Sequence, residues 1–101
     1  MMSKYELEID KKTLAGDIRR LINQVWKLIP MKENEEDWKQ QLEIVIIEIV
    51  GLKELFHELD FLIVLSKLEG LKNTEVDFRI YRSEIFSIIG DYLGGILNGL
   101  R

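Results

Sequence analysis

The spacing of apolar residues between positions 38 and 63 constrains this chain more than any other feature. Apolar residues return there at alternating steps of four and three, at Trp38, Leu42, Val45, Ile49, Leu52, Phe56, Leu59 and Ile63. This spacing puts side chains on one face of an α-helix, whereas a strand would need a period of two. Further apolar residues lie between them, namely Ile44, Ile46, Ile47 and Val50. A helix that is apolar nearly all round is covered on several sides, so this segment is predicted to be the centre of a helical bundle.

The boundaries of this central segment can also be predicted. Asn34 is placed to cap its first turn, and the acidic residues 35–37 lie where the helix dipole favours negative charge. An unbroken helix over residues 35–71 would be about 55 Å long, which exceeds the width of a domain of this size. A break near residues 57–60 is therefore favoured, with Asp60 capping the next helix. The alternative, one unbroken helix, would almost require a dimer.

A first helix is predicted at about residues 13–29. Its apolar residues again follow steps of four and three, at Leu14, Ile18, Leu21, Val25 and Leu28. Pro30 has no backbone N–H and disfavours helix at the residue before it, so it is expected to end this helix. Residues 30–33 are then predicted to form a tight connection.

Two further helices follow the central segment. One is predicted at about residues 60–71 with Gly70 near its C-cap, followed by a polar turn. The last is predicted at about residues 76–97, with Tyr81 and Tyr92 on its apolar face. Its end contains four glycines, at Gly90, Gly94, Gly95 and Gly99. These glycines fit a tail that frays after residue 93, a close helix–helix contact, or an amphipathic segment on a membrane surface.

The N-terminal residues have a different pattern. Tyr5, Leu7 and Ile9 alternate with charged residues, which suits a short strand. We therefore expect residues 1–12 to form an N-terminal strand or arm and residues 13–101 to form the helical domain. The fold class is predicted as all-α, an antiparallel bundle of three or four helices.

Composition and charge exclude several classes of function. The formal net charge is −4, and the basic residues are scattered, so nucleic acid is not an expected partner. With no cysteine, the chain offers no disulfide and no thiolate metal ligand. No apolar run approaches the ~20 residues of a membrane span, and the first residues do not resemble a signal peptide. A cytoplasmic protein is the expectation.

Two groups of residues have side chains that could take part in metal binding or acid–base chemistry. Glu54 and His57 have the Glu-x-x-His spacing of a carboxylate-bridged metal site, but the chain has one histidine, so a second copy would have to come from another chain. Glu43 and Glu48 are five residues apart and point to different helix faces, which is typical of the solvated edges of a buried helix. We therefore expect no catalytic residue, no cofactor and no metal, and the chain is not predicted to be an enzyme.

The surplus of apolar positions points to association. More helix faces are apolar than one small bundle can cover, and homodimers solve this problem by sharing a core. The sequence therefore predicts a non-catalytic interaction module that self-associates. The candidate interface or core residues are Trp38, Leu42, Val45, Ile49, Leu52, Phe56, Leu59, Tyr81 and Tyr92. The alternative is a small acidic regulatory or inhibitory protein, which would dock on a basic protein partner through residues 33–37.

Overall fold

The computed structural model describes residues 4–56 and 59–100, and these residues form helices joined by short connections. The helices are α1 (Lys4–Trp26), α2 (Leu28–Glu33), α3 (Trp38–Phe56), α4 (Leu59–Asn73), α5 (Phe78–Ser87), a π-helical segment (Ile88–Leu93) and α6 (Gly94–Gly99). The last three follow one another without a break and form one C-terminal helix. Within the described residues there is no strand, which confirms the all-α class.

The four long helices pack as an antiparallel bundle. Gln41 near the start of α3 donates from Nε2 to Oε1 of Gln24 near the end of α1, at 2.6 Å. Lys72 near the end of α4 forms an ion pair with Glu43 near the start of α3. The C-terminal helix packs against α1 and α4. Each helix therefore has two neighbours and keeps an outer side facing solvent, as in four-helix bundles.

The core follows the predicted apolar spacing in the first half of the chain. All five residues of the first predicted helix face, from Leu14 to Leu28, are buried. From α3 the core takes Leu42, Val45, Ile46, Ile49 and Leu52; from α4 it takes Phe61, Val64, Leu68 and Leu71; and from the C-terminal helix it takes Tyr81, Ile85, Ile88, Ile89, Leu93 and Ile96. One continuous apolar cluster thus holds the bundle together.

The predicted N-terminal strand is wrong, because the backbone is helical from Lys4 onward. A strand without a partner leaves its backbone groups unpaired, whereas a helix satisfies them within the segment. The residues concerned include Lys, Glu and Leu, which have high helix propensity. Helix α1 therefore begins nine residues before the predicted start at Thr13.

Pro30 does not end the first helix, and residues 30–33 are not a tight connection. The break comes at Lys27, and Pro30 lies in the first turn of α2. Proline is tolerated there because a first-turn N–H has no partner within the helix. Helix α2 continues to Glu33, and Asn34 N–H donates to the Pro30 carbonyl at 2.9 Å.

Asn34 is the C-cap of α2. The prediction that it caps the start of α3 is wrong. Glu35 adopts a positive φ of 57°. Glu36 N–H donates to the Met31 carbonyl at 2.8 Å, so the turn closes as a Schellman motif with glutamate in the place usually taken by glycine. Asp37 caps α3 instead, since its carboxylate accepts from Gln40 N–H at 3.3 Å.

The predicted break in the central segment is confirmed, because α3 ends at Phe56 and α4 begins at Leu59. Asp60 lies in the first turn of α4 instead of capping it. Helix α4 also runs past Gly70 to Asn73, so Gly70 is not its C-cap. The heptad phase of α3 does not continue across the connection, and Leu59 is 70% exposed.

The C-terminal helix continues to Gly99, two residues past its predicted end, and this does not fit the alternative in which the tail frays after residue 93. Asp77 caps its start by accepting from Arg79 N–H at 3.1 Å. In a π-helix the hydrogen bond spans five residues, which shifts the buried face. Leu93 is consequently fully buried, whereas Tyr92, on the predicted face, is only partly buried.

Candidate interaction surface

Helix α3 is apolar on two opposite sides. Its inner side supplies five core residues, and its outer side exposes Ile44 (44%), Ile47 (68%), Val50 (37%) and Leu55 (73%). Ile47 is three residues after Ile44, and Leu55 is eight residues after Ile47. These spacings put all three side chains on one helix face, with Gly51 between Ile47 and Leu55. The helix therefore has a solvent-facing apolar side that none of the described residues covers.

The first turns of α4 extend this surface. Leu59 (70% exposed), Leu62 (49%) and Ile63 (38%) lie at the end of the bundle where α3 finishes. Leu55 and Leu59 are on either side of the connection between the two helices. We call the seven exposed residues Ile44, Ile47, Val50, Leu55, Leu59, Leu62 and Ile63 the α3–α4 outer face.

The size of the outer face matches that of a protein interface. The exposed fractions of its seven residues add up to almost four whole aliphatic residues. At about 100 Å² for each aliphatic side chain removed from water, this is on the order of 400 Å² of apolar area. A standard interface buries about 800 Å² on each partner, a little over half of it apolar. The outer face is thus large enough for one such interface.

Exposed aromatic residues elsewhere are used within the chain. The rings of Trp26 and Phe86 pack edge to face with centroids 5.0 Å apart. The Arg82 guanidinium lies 5.1 Å from the centroid of the Phe86 ring. These residues contact one another between α1 and the C-terminal helix, although Trp26 and Phe86 stay 38% and 42% exposed.

Charges at the margin of the outer face are mainly acidic. Glu48 and Glu54 are exposed on α3. Glu43 is exposed as well, but it accepts a hydrogen bond from Lys72, which raises the pKa of that lysine. Glu43 and Glu48 thus lie at solvated edges of α3, as their spacing predicts, and Glu43 is committed to an ion pair.

The predicted candidate residues fall into three groups. Leu42, Val45, Ile49, Leu52 and Tyr81 are buried core residues, Trp38 and Tyr92 are partly buried against that core, and Leu59 is exposed on the outer face. The side chain of Phe56 lies outside the described residues. The structure therefore shows that most of the candidate residues belong to the core and that Leu59 is exposed at the surface.

Most of the outer face was not identified as a separate surface by sequence reasoning. The sequence predicts that Ile44, Ile47 and Val50 are apolar residues of α3 covered by other helices. It gives no prediction for Leu55 and Leu62. Their signal is the presence of apolar residues on the side of α3 opposite the buried stripe. That signal shows a second apolar side but cannot say whether the chain itself covers it.

Tyr81 carries a buried polar atom without a hydrogen-bond partner. Its hydroxyl is enclosed in the core and has no hydrogen-bond partner among the described residues, and this burial raises the pKa of the phenol. The ring packs edge to face on Trp38 at 5.2 Å, and Lys32 Nζ lies 4.3 Å from the centroid of the Trp38 ring. This cluster joins α2, α3 and α5 and stabilises one end of the bundle.

The structure describes only part of the residues that the sequence suggests as metal ligands. Within residues 4–56 and 59–100, no three His, Asp or Glu side chains are grouped as metal ligands. Glu54 is exposed on α3, but His57 lies outside the described residues. In the part of the chain that the structure describes, no helix is long and apolar enough to cross a membrane.

Comparisons of the chain with protein-family models, with curated proteins and with solved structures found no match.

Proposed function

We propose that this chain is a non-catalytic helical interaction module that forms a homodimer through the α3–α4 outer face. The observation that carries the proposal is the exposure of seven aliphatic residues on two adjacent helices. A patch of about 400 Å² is comparable to the largest apolar patch of a typical monomeric protein, about 300–600 Å², and such patches are often binding sites. A two-fold dimer covers the same face on both copies.

Mass measurement in solution tests this proposal directly. Light scattering at about 10 μM is expected to give about 24 kDa, twice the 11.9 kDa of one chain. A mass of one chain at this concentration would contradict self-association.

A matched pair of variants locates the interface. Ile47→Asp places a charge in the centre of the outer face, where the side chain is 68% exposed in the single chain. We expect it to give a folded monomer, because the charge would be desolvated without a partner in the dimer. Asn23→Asp adds the same charge to the exposed side of α1 and should remain dimeric. Equal masses for the two variants would place the interface elsewhere.

A second candidate function is a small acidic protein that docks on a basic partner. It is favoured by the exposure of Glu33, Glu35, Glu36 and Asp37 in and next to the α2–α3 connection. Salt separates the two proposals, because it screens attraction to a basic partner but does not weaken an apolar contact between two acidic copies. Self-association that falls steeply between about 0.05 and 0.5 M salt would contradict the apolar interface.

A further inference from the structure

The outer side of α3 has the same spacing of large apolar residues in both directions from Gly51. Ile47 lies four residues before Gly51 and Leu55 lies four residues after it. Steps of four keep all three residues on one helix face. Ile47 and Leu55 are 68% and 73% exposed. A two-fold axis at Gly51 that reverses the helix direction would therefore place each Leu55 at the height of Ile47 of the partner subunit.

Among the described residues, nothing packs closely enough on Gly51 to require a glycine there. It is exposed in the interior of α3, and a Cβ atom added there would meet nothing within 4 Å. Glycine in a helix interior is about 1 kcal/mol less favourable than alanine. Without a side chain at the point of contact, two α3 helices could approach at the short end of the 8–10 Å range of interaxial distances.

A groove next to Gly51 completes the arrangement. It has a volume of about 430 Å³ and lies between α1 and α3. Gly51, Leu52 and Leu55 form its apolar part, and Asp17, Arg20 and Glu48 form its polar part. Leu55 lies on the side of α3 that faces this groove. A two-fold axis perpendicular to both α3 helices keeps the two grooves on the same side of the pair, so Leu55 of the partner subunit would border the groove.

We infer that two copies of the chain pack with their α3 helices antiparallel and crossing at Gly51. This inference rests on the proposed homodimer and adds its register and its central contact. Leu55 of each copy packs against Ile47 of the other and borders the other's α1–α3 groove.

Disulfide formation tests the register, because the chain has no cysteine of its own. A disulfide requires Cα atoms about 4.4–6.8 Å apart, which the two-fold axis allows at position 51. Under mild oxidation, Gly51→Cys should form a covalent dimer at least about tenfold faster than Gly16→Cys, because the dimer raises the effective concentration of the thiols. Gly16 is a matched control, since it is exposed in α1 and has open space around it.

A second pair of variants covers the case in which cysteine at position 51 disturbs the contact. Ile47→Cys and Leu55→Cys should cross-link more strongly when mixed than when oxidised separately, because antiparallel packing brings the two unlike positions together. Strong cross-linking of each variant alone would indicate a parallel pair and overturn the register.

Light scattering on the unmodified chain separates the two proposals. A dimer in which neither Gly51→Cys nor the mixed pair cross-links overturns the crossing at Gly51 and leaves the homodimer in place. A monomer overturns both.

Discussion

Helices α1 and α3 bury similar stripes but differ completely on their outer sides. The inner side of α1 carries four buried residues from Leu14 to Val25, and that of α3 carries five from Leu42 to Leu52. On the outer side α1 presents charged and polar residues such as Arg19, Arg20 and Asn23, whereas α3 presents Ile44, Ile47 and Leu55. Burial in the bundle therefore explains all the apolar residues of this part of α1 but only half of those of α3. The exposed half of the apolar residues of α3 is the observation on which the proposed dimer rests.

The largest expected effect distinguishes the two sides of α3. Ile49 is fully buried, so Ile49→Asp would place an unpaired charge in the core and cost more than about 4 kcal/mol. A domain of this size is stable by only about 5–15 kcal/mol, so the variant should be largely unfolded or melt far below the parent. Thermal melting followed by circular dichroism measures this.

Ile47→Asp is the control for Ile49→Asp, since it adds the same charge two residues earlier on the opposite side. It should keep the helical spectrum of the parent. Parent-like melting of Ile49→Asp would mean that the inner side of α3 is assigned to the wrong residues.

The contrast between α1 and α3 also shows what the sequence could predict. The three- and four-residue spacing predicts the class and the core stripe from Leu14 to Leu28, because burial on one face leaves a periodic trace. The break between α3 and α4 is predicted by length alone, because an unbroken helix would exceed the width of the domain. The spacing could not tell the two sides of α3 apart, because both are apolar and periodicity does not show which side its own chain covers. Leu59 fitted the heptad of α3, but the break reset the helix phase and left it exposed.

The remaining errors concern local structure. Tyr5–Ile9 alternate as a strand would, yet no strand was available for pairing, so helix α1 extends through them. Pro30 and Asn34 were expected to mark one boundary, but they belong to the first turn and the C-cap of α2. Proline occurs both after the end of a helix and in its first turn, and asparagine occurs at both helix ends. The pattern alone therefore could not say which helix each residue belongs to.

The next prediction concerns the C-terminal helix, whose glycines fit a close helix–helix contact as one of three alternatives. A Cβ atom at Gly94 would lie 2.9 Å from the carbonyl oxygen of Ile89. Gly94→Ala should therefore strain the π-helical segment and lower the free energy of unfolding by about 1–3 kcal/mol. Urea denaturation provides the measurement.

Gly95→Ala is the matched control for Gly94→Ala. A Cβ atom there meets nothing within 4 Å, so alanine should stabilise the helix by about 0.5–1 kcal/mol. Equal effects of the two substitutions would show that the π-helical segment does not depend on glycine at position 94.

A smaller effect is expected from the one core hydroxyl without a partner within the described residues. Tyr81→Phe removes this group and should raise the free energy of unfolding by about 1 kcal/mol at pH 8, because an unpaired buried hydroxyl is destabilising. The advantage should grow above pH 10. In the unfolded chain the phenol loses its proton near pH 10, whereas burial raises its pKa in the folded chain, so the parent loses stability as the pH rises.

Urea midpoints of the parent and of Tyr81→Phe at pH 8 and pH 11 test this sign. A difference that is the same at both pH values would show that the phenol titrates normally in the folded chain. Water would then reach the core at Tyr81. The contrast between the buried inner side and the solvent-exposed outer side of the bundle would weaken.

The smallest effect gives the sharpest form of the comparison between α1 and α3. Gly16 and Gly51 are both exposed, lie within helices and have open space around them. In a monomer, alanine at either position should raise the free energy of unfolding by about 0.5–1 kcal/mol. In a dimer that crosses at Gly51, the methyl group separates the two α3 helices and weakens association by about 1 kcal/mol, or about fivefold in Kd. The melting temperatures of the two variants should therefore coincide at low protein concentration, where the chains are dissociated. At high concentration, where the dimer forms, Gly16→Ala should melt at a higher temperature than Gly51→Ala. Curves that stay together at every concentration would mean that α3 keeps its apolar outer side free of a close helix contact at Gly51.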